Sequence, residues 1–449
     1  MSAPLLGTVV RRAAVILFLG AIVVGLCSRQ ATSAVPASID DSRAAAAGIR
    51  KLASRHLVLY TDLPSQPEID SLPALFDQAV PLWAAYFGID PAKTADWRVR
   101  AYLIGDRAKF AAVGLMPADN ALVHGYATGF DLWVLDQPTE YYRRHLLLHE
   151  GTHAFMTQFL GGCGPGWYAE GMAEMLATHR GGARDRGARA ATEEEGALEL
   201  NLMPRDRREV PMLGRIKLVR DAVAAGKALT LPEVMAFDNR KQLGNEQYAW
   251  CWAAAKFLDS HPRYRERFRE LQQHVRDPSF NDLLRREFAA DWDELSAEWQ
   301  AYVATLDHGY DFKRMAIRFE RGTPLSRERR EVTIATDRGW QSSGVWLEKG
   351  KSYRVTARGQ FQIAVENGVA WPCEPGGVTI EYHDGRPLGM LVGAIVPERA
   401  GDASFAKPQA IGLGCSMTPD VSGTLYVRVN DSAAKLGDNR GTLTISIDD

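Results

Sequence analysis

Between about residues 50 and 310, short apolar runs give way to longer stretches whose apolar residues recur every three or four positions. The runs His56–Thr61, Arg98–Ile104 and Tyr126–Leu135 read as strands. Stretches near 143–160, 167–178, 213–225, 245–260, 263–275, 280–289 and 291–305 carry helical spacing, and the last of them (WDELSAEWQAYVATL) has one apolar face. After 330 the helical spacing stops. Short β-rich runs follow at Val332–Ala335, Gly344–Leu347, Ser352–Arg358, Gln360–Val365, Val378–Tyr382, Leu391–Ile395, Gly423–Val429 and Gly441–Ile447, separated by turn residues. That rhythm predicts an all-β sandwich or barrel. The charge-dense run Arg318–Arg330 falls between the two regimes and reads as a linker. The expected class is therefore α+β: a mostly helical domain with a small sheet over residues 35–325, then a sandwich over 326–449.

The N-terminus follows neither pattern. Residues 1–34 hold three arginines and no acid, and Ala13–Cys27 is an apolar run shorter than the roughly 20 residues a spanning helix needs. With the small residues Ala31-Thr32-Ser33-Ala34 behind it, this segment reads as a secretory signal, the alternative being an uncleaved anchor. An exported location is expected, with membrane association only if the segment stays attached. The whole chain has 53 Lys and Arg against 55 Asp and Glu, a balance that gives no footprint for nucleic acid. Four cysteines lie beyond the signal: Cys163, Cys251, Cys373 and Cys415. They are too few for a disulfide scaffold, but export allows a bridge, and Cys373 with Cys415 is one option.

The strongest chemical signal is His149-Glu150-Gly151-Thr152-His153. On a helix, residues four apart share a face, so both imidazoles can reach one metal ion. Glu150 is offset by about 100° and can serve as the general base towards water. A catalytic zinc takes three protein ligands and leaves one position open. The turn Gly161-Gly162-Cys163-Gly164-Pro165-Gly166 leads into Trp167-Tyr168-Ala169-Glu170-Gly171-Met172-Ala173-Glu174, which puts Glu170 near the start of a second helix. Glu170 is the natural third ligand, and Glu174, one turn on, can orient a ligand imidazole. The alternatives are that Glu174 takes the ligand role, or that both are solvated helix carboxylates. His145 shares the face of His149, but a fourth ligand would close the catalytic position. Tyr248 is a candidate oxyanion donor, or else a core tyrosine beside Trp250 and Trp252. The run from His124 to Trp133 is either an ordinary strand or one whose edge pairs with an extended substrate.

The stretch HLLLHEGTHAFM followed by PGWYAEGMAEML resembles the gluzincin metallopeptidases, the wide thermolysin-like group. The resemblance implies a zincin-like fold, with zinc on His149, His153 and Glu170, and hydrolysis of a peptide or protein substrate. The Gly-x-Met-x-Asn motif of the related aminopeptidases is absent from the chain.

In the β-rich part, Asp431, Asp438 and Asn439 could offer oxygens to calcium from two strand ends, or could simply form turns. The Gly339-Trp340-Gln341 opening, Tyr382-His383-Asp384 running into Leu388–Val392, and the Asn430-Asp431…Asp438-Asn439-Arg440-Gly441 ending resemble the small galactophilic calcium lectins of bacteria. That resemblance implies calcium on Asp431, Asp438 and Asn439, and a glycan partner through it. A structural accessory sandwich is the other reading. The sequence thus predicts an exported zinc peptidase with a lectin-like domain. Its rivals are a catalytically silent zinc-fold binding protein or adhesin, and a zinc hydrolase acting on another carbonyl.

Overall fold

The computed structural model describes residues 39–117, 122–182, 196–211, 213–238, 243–325, 329–398 and 404–449. The expected signal segment and most of the Arg- and Gly-rich stretch 180–189 lie outside them. No helix among the described residues is long and apolar enough to cross a membrane.

Strands β1 (Arg50–Ala53), β2 (Leu57–Thr61), β3 (Val99–Ile104), β4 (Gly125–Ala127) and β5 (Asp131–Leu135) form one sheet in the order β1-β2-β3-β5-β4. The three central strands are parallel and both edge strands are antiparallel to their neighbours. Alternation sorts the two faces. Leu57, Leu59, Val99, Ala101, Leu103, Leu132 and Val134 join the helical core, while Tyr60, Tyr102 and Trp133 pack with Phe110 and Leu122 on the far side.

The single expected strand Tyr126–Leu135 is in fact a hairpin. Thr128–Phe130 turns the chain, and the Thr128 amide donates to the Asp131 carbonyl at 2.8 Å. The Thr128 hydroxyl accepts from the Asp131 amide at 3.2 Å and closes the reversal, which the apolar spacing conceals. A further helix, α1 (Leu72–Phe87), was not expected. Pro73 and Pro81 disguise it: the first sits in the opening turn, where no donor is needed, and the second is tolerated inside a helix held by Phe76 and Trp83 in the core.

Helices α2 (Glu140–Leu160), α3 (Gly166–Ala177), α4 (Arg215–Ala224), α5 (Asn245–Ser260) and α6 (Trp292–Thr305) cover the sheet and one another. The short pair β6 (His179–Arg180) and β7 (Glu199–Leu200) follows α3. The side chain of Thr139 starts α2 by accepting from the Tyr142 amide, and Gly161, at φ 77°, ends it in the left-handed conformation. Every residue of α3 is buried. Its carboxylates are therefore not solvated.

The second half is β-rich. Its strands are β8 (Thr323–Pro324), β9 (Arg330–Ala335), β10 (Gln341–Leu347), β11 (Tyr353–Arg358), β12 (Phe361–Glu366), β13 (Val369–Cys373), β14 (Val378–His383), β15 (Arg386–Leu388), β16 (Leu391–Val396), β17 (Gln409–Ala410), β18 (Gly414–Met417), β19 (Gly423–Val429) and β20 (Thr442–Asp448). One sheet has the order β17-β16-β19-β10-β8 and the other β18-β11-β20-β9; β12-β13 and β14-β15 are separate hairpins. Val345, Leu347, Val355, Leu425, Val427, Leu443 and Ile445 fill the space between the sheets.

The two halves share apolar surface. Ala297 and Ala301 of α6 pack with Trp340, Val392, Ala394, Phe405 and Tyr426. All seven residues of β19 are consequently buried, as expected of a strand covered on both faces. The first part of the expected linker is bound down as well. The Glu320 amide donates to the Tyr426 hydroxyl at 2.9 Å and the Gly322 amide to Thr424 Oγ1 at 2.8 Å, and Thr323–Pro324 pairs in parallel with Val345–Trp346. None of the four described cysteines is in a disulfide, so no bridge joins Cys373 and Cys415.

Candidate metal centre

The turn after α2 folds α3 back against it, and the face carrying His149 and His153 meets Glu170. His149 Nε2 is 3.2 Å from His153 Nε2 and 3.3 Å from Glu170 Oε2, and His153 Nε2 is 3.5 Å from the same oxygen. Three donors at ~2.0–2.1 Å from one tetrahedral zinc stand roughly 3.3 Å apart, so the triangle has the dimensions of a zinc site. All three residues are buried.

The unsatisfied atoms point the same way. Both carboxylate oxygens of Glu150, both of Glu170 and Nδ1 of His153 are buried without a hydrogen-bond partner. Buried polar atoms are rarely left so, and several together mark the place of an absent group. Two imidazole nitrogens facing each other at 3.2 Å repel unless a proton or a metal lies between them. These residues fit a zinc ion.

The electrostatics favour a cation. Burial disfavours a charged His149, yet Glu170 and Glu174 raise it to about 10. Burial would likewise raise Glu170, but the neighbouring His153 and His149 hold it at about 2. Glu150 has no such partner in contact, and burial pushes its carboxyl up to about 7. A carboxyl group near neutrality can both take and return a proton.

Glu174 is the hub behind the triangle. Arg215, on α4, donates from Nη2 to Oε1 at 2.7 Å and from Nε to Oε2 at 2.8 Å. His149 Nδ1 stands 3.4 Å from Oε1, and His145 Nε2 stands 3.2 Å from Oε2. His145, His149 and Glu174 are also close enough to hold a metal ion. Arg215 already supplies that group with its positive charge, which argues against a second ion there. His145 is turned towards Glu174 and the Ala177 carbonyl rather than towards the triangle.

Tyr248 reaches the site from α5. Its ring centroid is 6.2 Å from that of His149, and the Arg215 guanidinium lies 5.7 Å from its own centroid. Burial, with Glu170, Glu150 and Glu174 nearby, keeps the phenol protonated. The structure thus brings together His149, Glu150, His153, Glu170, Glu174 and Tyr248.

Two residues of the site were not singled out from the sequence. Arg215 joins Glu174 across 41 positions, and no local pattern marks such a pairing. Gly125, on edge strand β4, is the other. A Cβ built there would lie 2.2 Å from Glu150 Oε1. Gly125→Ala is therefore expected to displace the Glu150 carboxylate and lower kcat, while zinc binding, measured by metal analysis, stays at the wild-type level.

In the β-rich half, Asp431 Oδ1 accepts from the Ser432 amide at 2.6 Å and Oδ2 from Asn439 Nδ2 at 2.9 Å. Asn439 Nδ2 also donates to the Thr336 carbonyl at 3.1 Å, which fixes the amide orientation. Asn439 Oδ1 and Asp438 Oδ1 are left buried without partners. Burial, with a contribution from the Asp438 charge, pushes Asp431 up to about 6. Of the three residues that sequence reasoning assigned to calcium, Asp431 and Asn439 meet side chain to side chain, through the Asn439 amide nitrogen, and the unpartnered oxygens of Asp438 and Asn439 are of the type a hard cation takes.

No protein-family model and no curated protein matches the sequence. Among solved structures, 26% of this chain aligns with 92% of the EclA N-terminal domain, a PllA-like lectin, at 16% identity and a TM-score of 0.21. A second alignment covers 55% of this chain and 25% of the chain of IMPa from Pseudomonas aeruginosa, in complex with an O-glycopeptide, at 14% identity and a TM-score of 0.17. At such scores neither likeness carries an argument.

Proposed function

We propose that this chain is an exported zinc-dependent peptidase of gluzincin type with a lectin-like accessory domain. The carrying observation is the triangle of His149, His153 and Glu170 at 3.2–3.5 Å, with Glu150 alongside and unpartnered. A zinc ion in this cradle supplies a Lewis acid that acidifies water and polarises a carbonyl.

The chain's own residues do the rest. Glu150 takes the proton from the attacking water and returns it to the leaving amine. Tyr248 offers its phenol to the oxygen that becomes negative. Glu174, fixed by Arg215, holds His149 in the orientation that turns Nε2 to the metal. The outer edge of β4 pairs with an extended peptide and lays it across Glu150. Asp431, Asp438 and Asn439 hold calcium, and the sandwich engages a glycan near the substrate.

Metal content tests the reading first. Purified protein given zinc and then dialysed against metal-free buffer is expected to keep one zinc per chain by mass spectrometry, and His149→Ala none. A folded wild type with no zinc sinks the peptidase reading and promotes the binding protein.

A further inference from the structure

The loop between β19 and β20, Asn430–Gly441, faces two ways. Its base carries Asp431, Asp438 and Asn439, with the two unpartnered oxygens described above. Among the described residues no lysine or arginine pairs with either aspartate. Arg428 Nη1 is spent on the Asp431 main-chain carbonyl at 3.3 Å, and Lys435 faces Glu381 at 3.5 Å. Asp431 has hydrogen bonds from Ser432 and Asn439 but no ion pair, and unpaired buried oxygens beside such a carboxylate are a costly arrangement that a divalent cation relieves.

The outer arm of the loop belongs to the other half of the molecule. Ala433 and Leu436 are buried in the same apolar cluster as Tyr310, Phe312 and Met315. The Asp311 amide donates to the Ala433 carbonyl at 3.1 Å. Gly309 sits so close that a Cβ there would be 3.2 Å from that of Ala434. Arm and base are continuous. Asp431 Oδ1 holds the Ser432 amide, the Lys435 amide donates to the Ser432 carbonyl at 2.9 Å, and Gln362 donates to the Asp438 carbonyl.

We propose that this loop is a cation-set latch between the two halves: a divalent cation on Asp431, Asp438 and Asn439 fixes the arm and thereby seats Ala433 and Leu436 in the helical core. The all-oxygen donor set selects calcium. The proposal rests on the calcium reading of these residues and is independent of the zinc reading. The cation acts inward on the helical half, whether or not a sugar binds outside.

The Asp311 amide is the direct reporter, because its acceptor lies on the arm. The full chain, with zinc held constant, is compared with and without calcium chloride by hydrogen exchange and mass spectrometry. A ligand at about 100 times its Kd slows exchange through an opening that releases it by up to ~100-fold. That slowing is expected both over residues 431–441 and over 307–315. Asp438→Ala removes a side chain whose Oδ1 has no hydrogen bond, so its calcium-free melting is expected to match wild type while the calcium effect disappears. Leu436→Ala is expected to keep protection at 431–441 and lose it at 307–315. Three results overturn the latch: no heat of calcium binding, slowing confined to 431–441 in the wild type, or a full calcium effect in Asp438→Ala. Zinc content and peptide hydrolysis do not enter these readouts.

Discussion

Glu150→Gln is expected to retain one zinc per chain while peptide hydrolysis falls by about 10²–10⁴-fold, the usual contribution of a general base. The substitution keeps shape and volume. It leaves His149, His153 and Glu170 untouched, so the metal should stay. What it removes is the ability to accept a proton. In the native chain both Glu150 oxygens are buried without partners, and burial pushes the carboxyl to about 7. No hydrogen bond within the protein explains why such a group is retained, whereas proton transfer to and from a substrate does. The measurement is kcat/KM on a quenched fluorescent peptide or a casein digest, with zinc counted in the same preparations. Unchanged hydrolysis with unchanged zinc would remove Glu150 from the mechanism. The variant also serves the rival hydrolase reading, because attack on any other carbonyl needs the same base.

The parts of this site legible in the sequence are those set by local geometry. His149 and His153 share a helical face because four residues nearly complete a turn. Glu170 follows from a glycine-rich turn that can only reverse the chain, and Glu174 from one further helical turn. Tyr248 could be singled out but not placed, since a tyrosine between tryptophans has the same pattern whether it lines a core or a site. Gly125 and Arg215 were invisible for a physical reason. The first matters through a close approach of β4 to α2, the second through an ion pair between helices far apart in sequence. The fold divides in the same way. β1, β8, β13, β15, β17 and β18, two to five residues each, are too short to stand out in the sequence, whereas β2, β3, β9, β11, β12, β14, β16, β19 and β20 appear within a residue or two of their apolar runs. The hairpin of β4 and β5 and the proline-bearing α1 do not, because a turn inside an apolar run and a proline inside a helix are tolerated only through tertiary packing. The run Arg318–Arg330 is dense in charge yet partly held by Tyr426, Thr424 and β10, so composition alone misjudged its freedom.

Arg215→Met is expected to destabilise the chain by about 3–5 kcal/mol, the cost of leaving one partner of a buried pair unpaired. Arg215 is 3% exposed and Glu174 1%, so water does not screen the charge left behind. The bidentate contact at 2.7 and 2.8 Å is what holds Glu174 ionised against its burial. Without it, Glu174 either stays charged at that cost or takes a proton and loosens its hold on His149 and His145. In the second case zinc affinity is expected to fall by about 10–100-fold, as when the group orienting a ligand histidine is lost. Arg215→Lys keeps the charge but not the fork of two parallel bonds, and should fall between methionine and wild type in both readouts. The double variant Arg215→Met with Glu174→Gln removes both charges, so its stability should recover part of the loss while its zinc affinity does not. Urea denaturation of the four proteins, alongside zinc competition titrations, separates the two effects. If Arg215→Met unfolds within ~1 kcal/mol of wild type, the range of an exposed pair, then the guanidinium is not what holds the carboxylate in place, and the orientation of His149 must come from helix packing alone.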